Sequence, residues 1–222
     1  MRIALLGGTG DIGQGLAMRW AYDTDHEVVI GSREAQRARG KAEEYETELD
    51  SRGVEVTVEG AENAAAAADA DVVVLAVPPY HVSDTVEAVA DGLDEETVLV
   101  SPAVGIQSDE AGLHYHRPGA GSVTAVAANT APAGTPVVGA FHNLAADRLA
   151  NLDADLSVDT LLVGDDEDAK DVVGDLAAAI EGIRPLDAGP LDNAAEVESM
   201  TPLLINLARY NDGMHDVGVR FD

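Results

Sequence analysis

Apolar residues along this chain gather in short runs. Residues 2–7 (RIALLG), 27–30 (EVVI), 71–77 (DVVVLAV), 97–100 (TVLV), 137–141 (VVGAF), 160–163 (TLLV) and 183–186 (IRPL) are short apolar-rich segments between polar or glycine-containing stretches. Runs of that length read as strands buried on both faces of a sheet. Residues 54–58 (VEVTV) alternate and read as one more strand. Helical patterns fall between them. Leu16, Ala17, Trp20 and Ala21 form an apolar stripe, residues 61–69 are alanine-rich, and helices are predicted near 83–91 and 122–129. A further helix follows the acidic run at 165–168, where carboxylates suit a helix start, and a long closing helix covers about 191–210. Residues 103–118 carry no period and read as irregular. This rhythm predicts an α/β fold, a Rossmann-type doubly wound, mostly parallel sheet with a small C-terminal helical lobe.

The first turn of that rhythm carries chemistry. Gly8, Thr9, Gly10, Asp11, Ile12 and Gly13 contain G-x-G-x-x-G, placed between the first strand and the first helix. Such glycines allow a tight turn, close approach of a pyrophosphate, and close packing of helix on strand, while the first helical amides face the phosphates. Residues 1–150 are therefore assigned to a dinucleotide-binding domain and 151–222 to the lobe.

The end of the second strand selects the nucleotide. An acid there would hold a free ribose 2′-hydroxyl, but the strand ends Gly31, Ser32, Arg33. Arg33 can pair with a 2′-phosphate, Ser32 can donate a hydroxyl, and Arg37 lies one helical turn on. Arg39 and Lys41 follow, so four of the chain's 13 positive residues crowd this point. NADP is expected rather than NAD. The alternative is that these cations pair with Glu34, Glu43 and Glu44.

Loops at the carboxyl ends of the strands line the crevice of such a sheet, which puts Pro78–His81 beside the nucleotide. His81 reads equally as a contact to the ribose or nicotinamide or as an ordinary helix-start hydrogen bond. His114 and His116 lack further ligands at metal spacing, so no metal is expected.

Composition narrows the context. Lys+Arg number 13 against 41 Asp+Glu, a net charge of -28. That surface excludes nucleic acid and anionic membranes as partners. It also predicts a fold that needs salt, because the Debye length falls to roughly 3 Å at molar concentration; a halophilic source is expected. Cysteine is absent, which excludes disulfides and thiol catalysis. No apolar run reaches the ~20 residues of a membrane span, and Met1 leads straight into a strand, so a cytoplasmic protein is expected.

The segments GGTGDIGQGLA, GSR, AFHNLAADRLANLD and RPLDAGPLDNAAEVESMTPLLINLARYN together resemble the NADPH-dependent coenzyme F-420 reductases, over essentially the whole chain. The resemblance implies an oxidoreductase that moves hydride reversibly between NADPH and the deazaflavin coenzyme F-420. It implies nucleotide contacts from Thr9, Gly10, Asp11 and Ile12, 2′-phosphate contacts from Ser32, Arg33 and Arg37, and Val77, His81 and Ala146 along the cofactor. It places His142, Ser199 and Thr201 at the deazaflavin pocket, and it implies a homodimer. The competing readings are another NADPH reductase, with an imine or a flavin/ferric acceptor, and a non-catalytic NADP-sensing module. A second apolar cavity beside the nucleotide site would favour an enzyme.

Overall fold

The computed structural model describes residues 1–222. In chain order the elements are β1 (Arg2–Leu6), α1 (Asp11–Asp23), β2 (Glu27–Ser32), α2 (Ala35–Ser51), β3 (Val58–Glu62), α3 (Asn63–Ala67), β4 (Val72–Leu75), α4 (Val82–Val89) and β5 (Val98–Ser101). Then come β6 (Ile106–Asp109), β7 (Gly112–Tyr115), α5 (Val123–Thr130), β8 (Val137–Gly139), α6 (Ala146–Ala150), β9 (Val158–Gly164), α7 (Glu167–Ala178), β10 (Ile183–Asp187) and α8 (Ala194–Tyr210).

Eight strands form one sheet in the order β10-β9-β8-β5-β4-β1-β2-β3. Every neighbouring pair is parallel except β8–β9. Alternate side chains serve two cores, which is why the strands read as unbroken apolar runs. Ile3, Leu5, Val28, Ile30, Val72 and Val74 face α1, α2 and α7. Ala4, Leu6, Val29, Val73 and Leu75 face α3, α4 and α5. Trp20 anchors the larger core: its ring meets Phe141 edge-on at 5.7 Å and its indole N–H donates to the Leu176 carbonyl.

Three expectations shift. Residues 54–57 are not a strand; pairing begins at Val58, opposite Val28. The reason is steric. α2 crosses β3 so closely that a Cβ on Gly60 would stand 2.4 Å from the Arg39 nitrogen, so the pairing register sets a glycine beneath the helix. Val54 and Val56 pack on the core edge as an extended lead-in. The stretch expected to be irregular contains the β6–β7 hairpin. β6 is exposed throughout and β7 is half-buried beyond Gly112, so neither has a buried alternating face; α8 holds them instead. The Asn206 carboxamide accepts from the Leu113 amide and donates to its carbonyl, and the Tyr210 hydroxyl donates to the Ala111 carbonyl.

The C-terminal 72 residues do more than form a helical lobe, since β9 and β10 extend the same sheet. The final segment then returns across it. Buried Asp159 takes a two-pronged contact from Arg184 and the Phe221 amide, and Arg184 also reaches the Phe221 carbonyl. Arg184 holds the Asp159 carboxyl down to about 2.

Candidate functional site: two cavities joined at a glycine loop

The glycine loop is tight because side chains would not fit. Gly7 takes φ +80, and a Cβ there would collide with the Ala76 carbonyl at 2.5 Å. The left-handed turn therefore sits at Gly7, one residue before the three-glycine motif. A Cβ on Gly13 would lie 2.6 Å from the Gly8 Cα, so the last glycine lets α1 close on the loop. Gly10 caps α1 without a side-chain bond, leaving the helix N-terminus to a ligand. Tyr45 on α2 fixes the loop from behind, its hydroxyl donating to the Gly8 carbonyl at 2.9 Å; burial pushes this phenol well up.

A cavity of about 490 Å³ opens in front of the loop, lined by Gly7, Thr9, Gly10 and the ends of β2 and β4. Ser32, Arg33 and Arg37 stand on its β2 side and Val77 and His81 on its β4 side. Arg33 and Arg37 are exposed and make no ion pair, whereas Lys41 pairs with Glu44. The alternative pairing thus holds for the lysine and not for the two arginines that line the cavity. His81 packs against Tyr80, ring centroids 4.5 Å apart.

A second cavity of about 400 Å³ lies across the loop, reached at Asp11. Its walls come from four distant stretches: Asp11, residues 142–147, Thr201 to Ala208 on one face of α8, and Asp216 with Val217 from the returning segment. Leu144, Ala146, Leu204, Ile205 and Val217 make much of it apolar. The chain enters through Phe141, which holds φ +65. That conformation is costly for an aromatic residue and is sustained by the Trp20 packing and by the Phe141 amide donating to Thr160 Oγ1 at 3.0 Å. It swings His142 and Asn143 off the end of β8 into the cavity wall.

His142 is buried, and burial pushes its imidazole down to about 3, so it is neutral. Its tautomer follows from its neighbours. Glu198, with no exposed surface, accepts from the Val123 and Thr124 amides, the Tyr115 hydroxyl and the Thr124 hydroxyl, at 2.8–3.0 Å. The Thr124 hydrogen is thereby committed to Glu198. Only a lone pair remains for His142 Nε2 at 3.4 Å, so Nε2 carries the proton and Nδ1, which has no partner, is a bare acceptor. The Thr201 hydroxyl donates to the His142 carbonyl at 2.7 Å and ties α8 to the same loop.

The structure thus gathers Thr9, Gly10, Ser32, Arg33, Arg37, Val77 and His81 around one cavity, and Asp11, His142, Ala146 and Thr201 around the other. Gly8 acts through its carbonyl, and the Ile12 side chain packs on the core, leaving its backbone as its contribution to the loop. Ser199 does not join Thr201. At ~100° per residue the two point roughly 200° apart on α8, and the Ser199 hydroxyl donates to the Glu196 carbonyl of its own helix. His114 pairs with Asp109 across the hairpin. Sequence reasoning missed Tyr45, Asn63, Thr124 and the clamp at Glu198. Tyr45 continues the Ala38–Ala42 stripe and gave the one available signal; the others depend on contacts far apart in the chain.

A family model described as "NADP oxidoreductase coenzyme F420-dependent" matches residues 2–105. An F420-dependent NADP reductase of Methanothermobacter thermautotrophicus is 40% identical over 99% of this chain and 94% of its own length. Another, from Methanocaldococcus jannaschii, is 38% identical over 93% of this chain and 92% of its own. A solved structure from an Arthrobacter species covers 100% of this chain and 99% of its own at 24% identity, with a TM-score of 0.81, and shows the shared fold.

Proposed function

Because this chain belongs to the F420-dependent NADP reductase family, we propose that it transfers hydride reversibly between NADPH and the deazaflavin coenzyme F-420. The observation that carries the reading is the pair of cavities meeting at one glycine loop: one offers unpaired arginines and phosphate-facing backbone, the other apolar walls of ring size. A sensing module needs only the first.

The residues present fit both nucleotides. Thr9, Gly10, Asp11 and Ile12 hold the pyrophosphate, Ser32, Arg33 and Arg37 the 2′-phosphate, and Val77, His81 and Ala146 flank the chain of the cofactor toward the nicotinamide. Thr201 and His142 border the deazaflavin, and residues 151–222 complete its pocket. When bound, the two rings supply the hydride chemistry between themselves. The protein orients them, excludes water and lends the neutral His142 Nδ1 as an acceptor. His142 does not serve as an acid, since it carries no spare proton in ordinary buffer. Ser199 reaches the pocket only if its hydroxyl leaves Glu196.

No helix of the structure is long and apolar enough to cross a membrane. The cytoplasm is the compartment proposed, in keeping with two soluble nucleotide substrates. A homodimer is proposed through α8, where Leu203 and Tyr210 are 57% and 62% exposed, a largely apolar strip, with Arg209 over the Tyr210 ring, on a strongly anionic surface. Light scattering at molar KCl reads the oligomer directly.

The reaction is tested by mixing protein, NADPH and F-420 at molar KCl and following the visible band of the oxidised deazaflavin. Bleaching with NADPH, and far slower bleaching with NADH, is expected. Tight NADPH binding with no bleaching would overturn the acceptor and leave the nucleotide site standing.

A further inference from the structure

We propose that Asn63 reads the adenine edge of the bound nucleotide; the inference rests on the NADP assignment of the first cavity. Asn63 opens α3 directly after β3, whose register sets Ala61 beside Gly31 and Glu62 beside Ser32. Its side-chain oxygen lies 2.9 Å from where a Cβ of Gly31 would stand, so it hangs over the end of β2, and the residue lines the cavity. That oxygen is buried and has no hydrogen-bond partner. Buried acceptors in native proteins are nearly always satisfied, and an orphan in a ligand cavity points to a donor on the ligand.

The rest of the cavity identifies the donor. The glycine loop accounts for the pyrophosphate, and Arg33 with Arg37 accounts for the 2′-phosphate. What remains of the adenosine half is the base, and Pro78, Thr85 and Ala88 provide small or apolar walls for a flat ring. Adenine presents an amino donor and the N7 acceptor side by side, the pattern a carboxamide matches with its oxygen and its NH₂. A base with a carbonyl in place of the amino group would set oxygen against oxygen.

The test measures dissociation constants calorimetrically at molar KCl for NADPH and for its hypoxanthine counterpart, in which a carbonyl replaces the adenine amino group. The wild type is expected to bind the adenine form about tenfold or more tightly, the range for one amide–base pair. Asn63→Ala should weaken NADPH by a similar factor and bind both forms alike. Asn63→Asp keeps the accepting oxygen and should retain the adenine preference at lower affinity for both. An Asn63→Ala protein that keeps the wild-type ratio overturns the proposal. So does one that loses both forms equally, which would move the contact to the ribose hydroxyl. The NADPH-to-NADH preference, measured on the same proteins, should survive in Asn63→Ala. Its absence from the wild type would instead refute the NADP reading.

Discussion

The two cavities flank the glycine loop, one reaching Gly10 and the other Asp11, and are built in opposite ways. The nucleotide cavity is assembled from strand ends, each contributing residues next to one another in the chain: Gly7 to Gly10 after β1, Ser32 and Arg33 after β2, Val77 to His81 after β4. Its parallel strands already line those ends up. The second cavity draws on residues near positions 11, 142, 201 and 216, and it exists only because α8 and the returning segment close over the end of β8. The first is a product of local turns on a regular sheet. The second depends on a buried polar clamp, and its weak points lie in contacts between distant segments.

The sharpest way to break that comparison is to remove the clamp. Glu198→Ala leaves two amides and two hydroxyls without their acceptor, and a loss of about 3–5 kcal/mol is expected in denaturant unfolding at molar KCl. A loss below about 1 kcal/mol would show that α8 is held by its apolar face alone. The next effect is a pH dependence. Folded His142 stays neutral down to about 3, whereas the unfolded imidazole takes up its proton near 6.5. Through that window the unfolded state binds more protons, so native stability falls as the pH falls and is fully present above it. The stability difference between wild type and His142→Gln should therefore shrink on acidification by up to ~1.4 kcal/mol per pH unit. Parallel curves for the two proteins would contradict a buried neutral histidine.

On the nucleotide side, Arg33→Ala should weaken NADPH binding by roughly 1.5–3 kcal/mol and leave NADH nearly unchanged, with no effect on unfolding. Equal losses for both would remove the 2′-phosphate from this corner. The finest distinction lies within α8. Thr201→Val loses one hydrogen bond to the His142 loop, ~1 kcal/mol, and should raise the KM for F-420. Ser199→Ala breaks only a bond to its own helix and should stay within ~0.5 kcal/mol of wild type. A large activity loss in Ser199→Ala would mean that the hydroxyl leaves Glu196 when the deazaflavin binds.

The difference between the cavities is also the difference in what could be read without coordinates. Apolar runs, glycine spacing and the Ser32–Arg33 strand end are local patterns, and local physics decides them: hard-sphere turns, period-two burial, charge beside phosphate. Even there the register escaped, because the α2–β3 contact at Gly60 slid the pairing past the alternating valines, and the left-handed turn fell on Gly7. By itself the amino-acid order determined the doubly wound sheet and the glycine loop, and it pointed to NADP as the nucleotide. It did not separate Thr201 from Ser199, set the tautomer of His142, or mark Asn63 and Glu198. Each of those depends on which groups from far along the chain arrive within hydrogen-bond reach. A buried polar atom takes its role from its partners, and only the tertiary structure decides who they are.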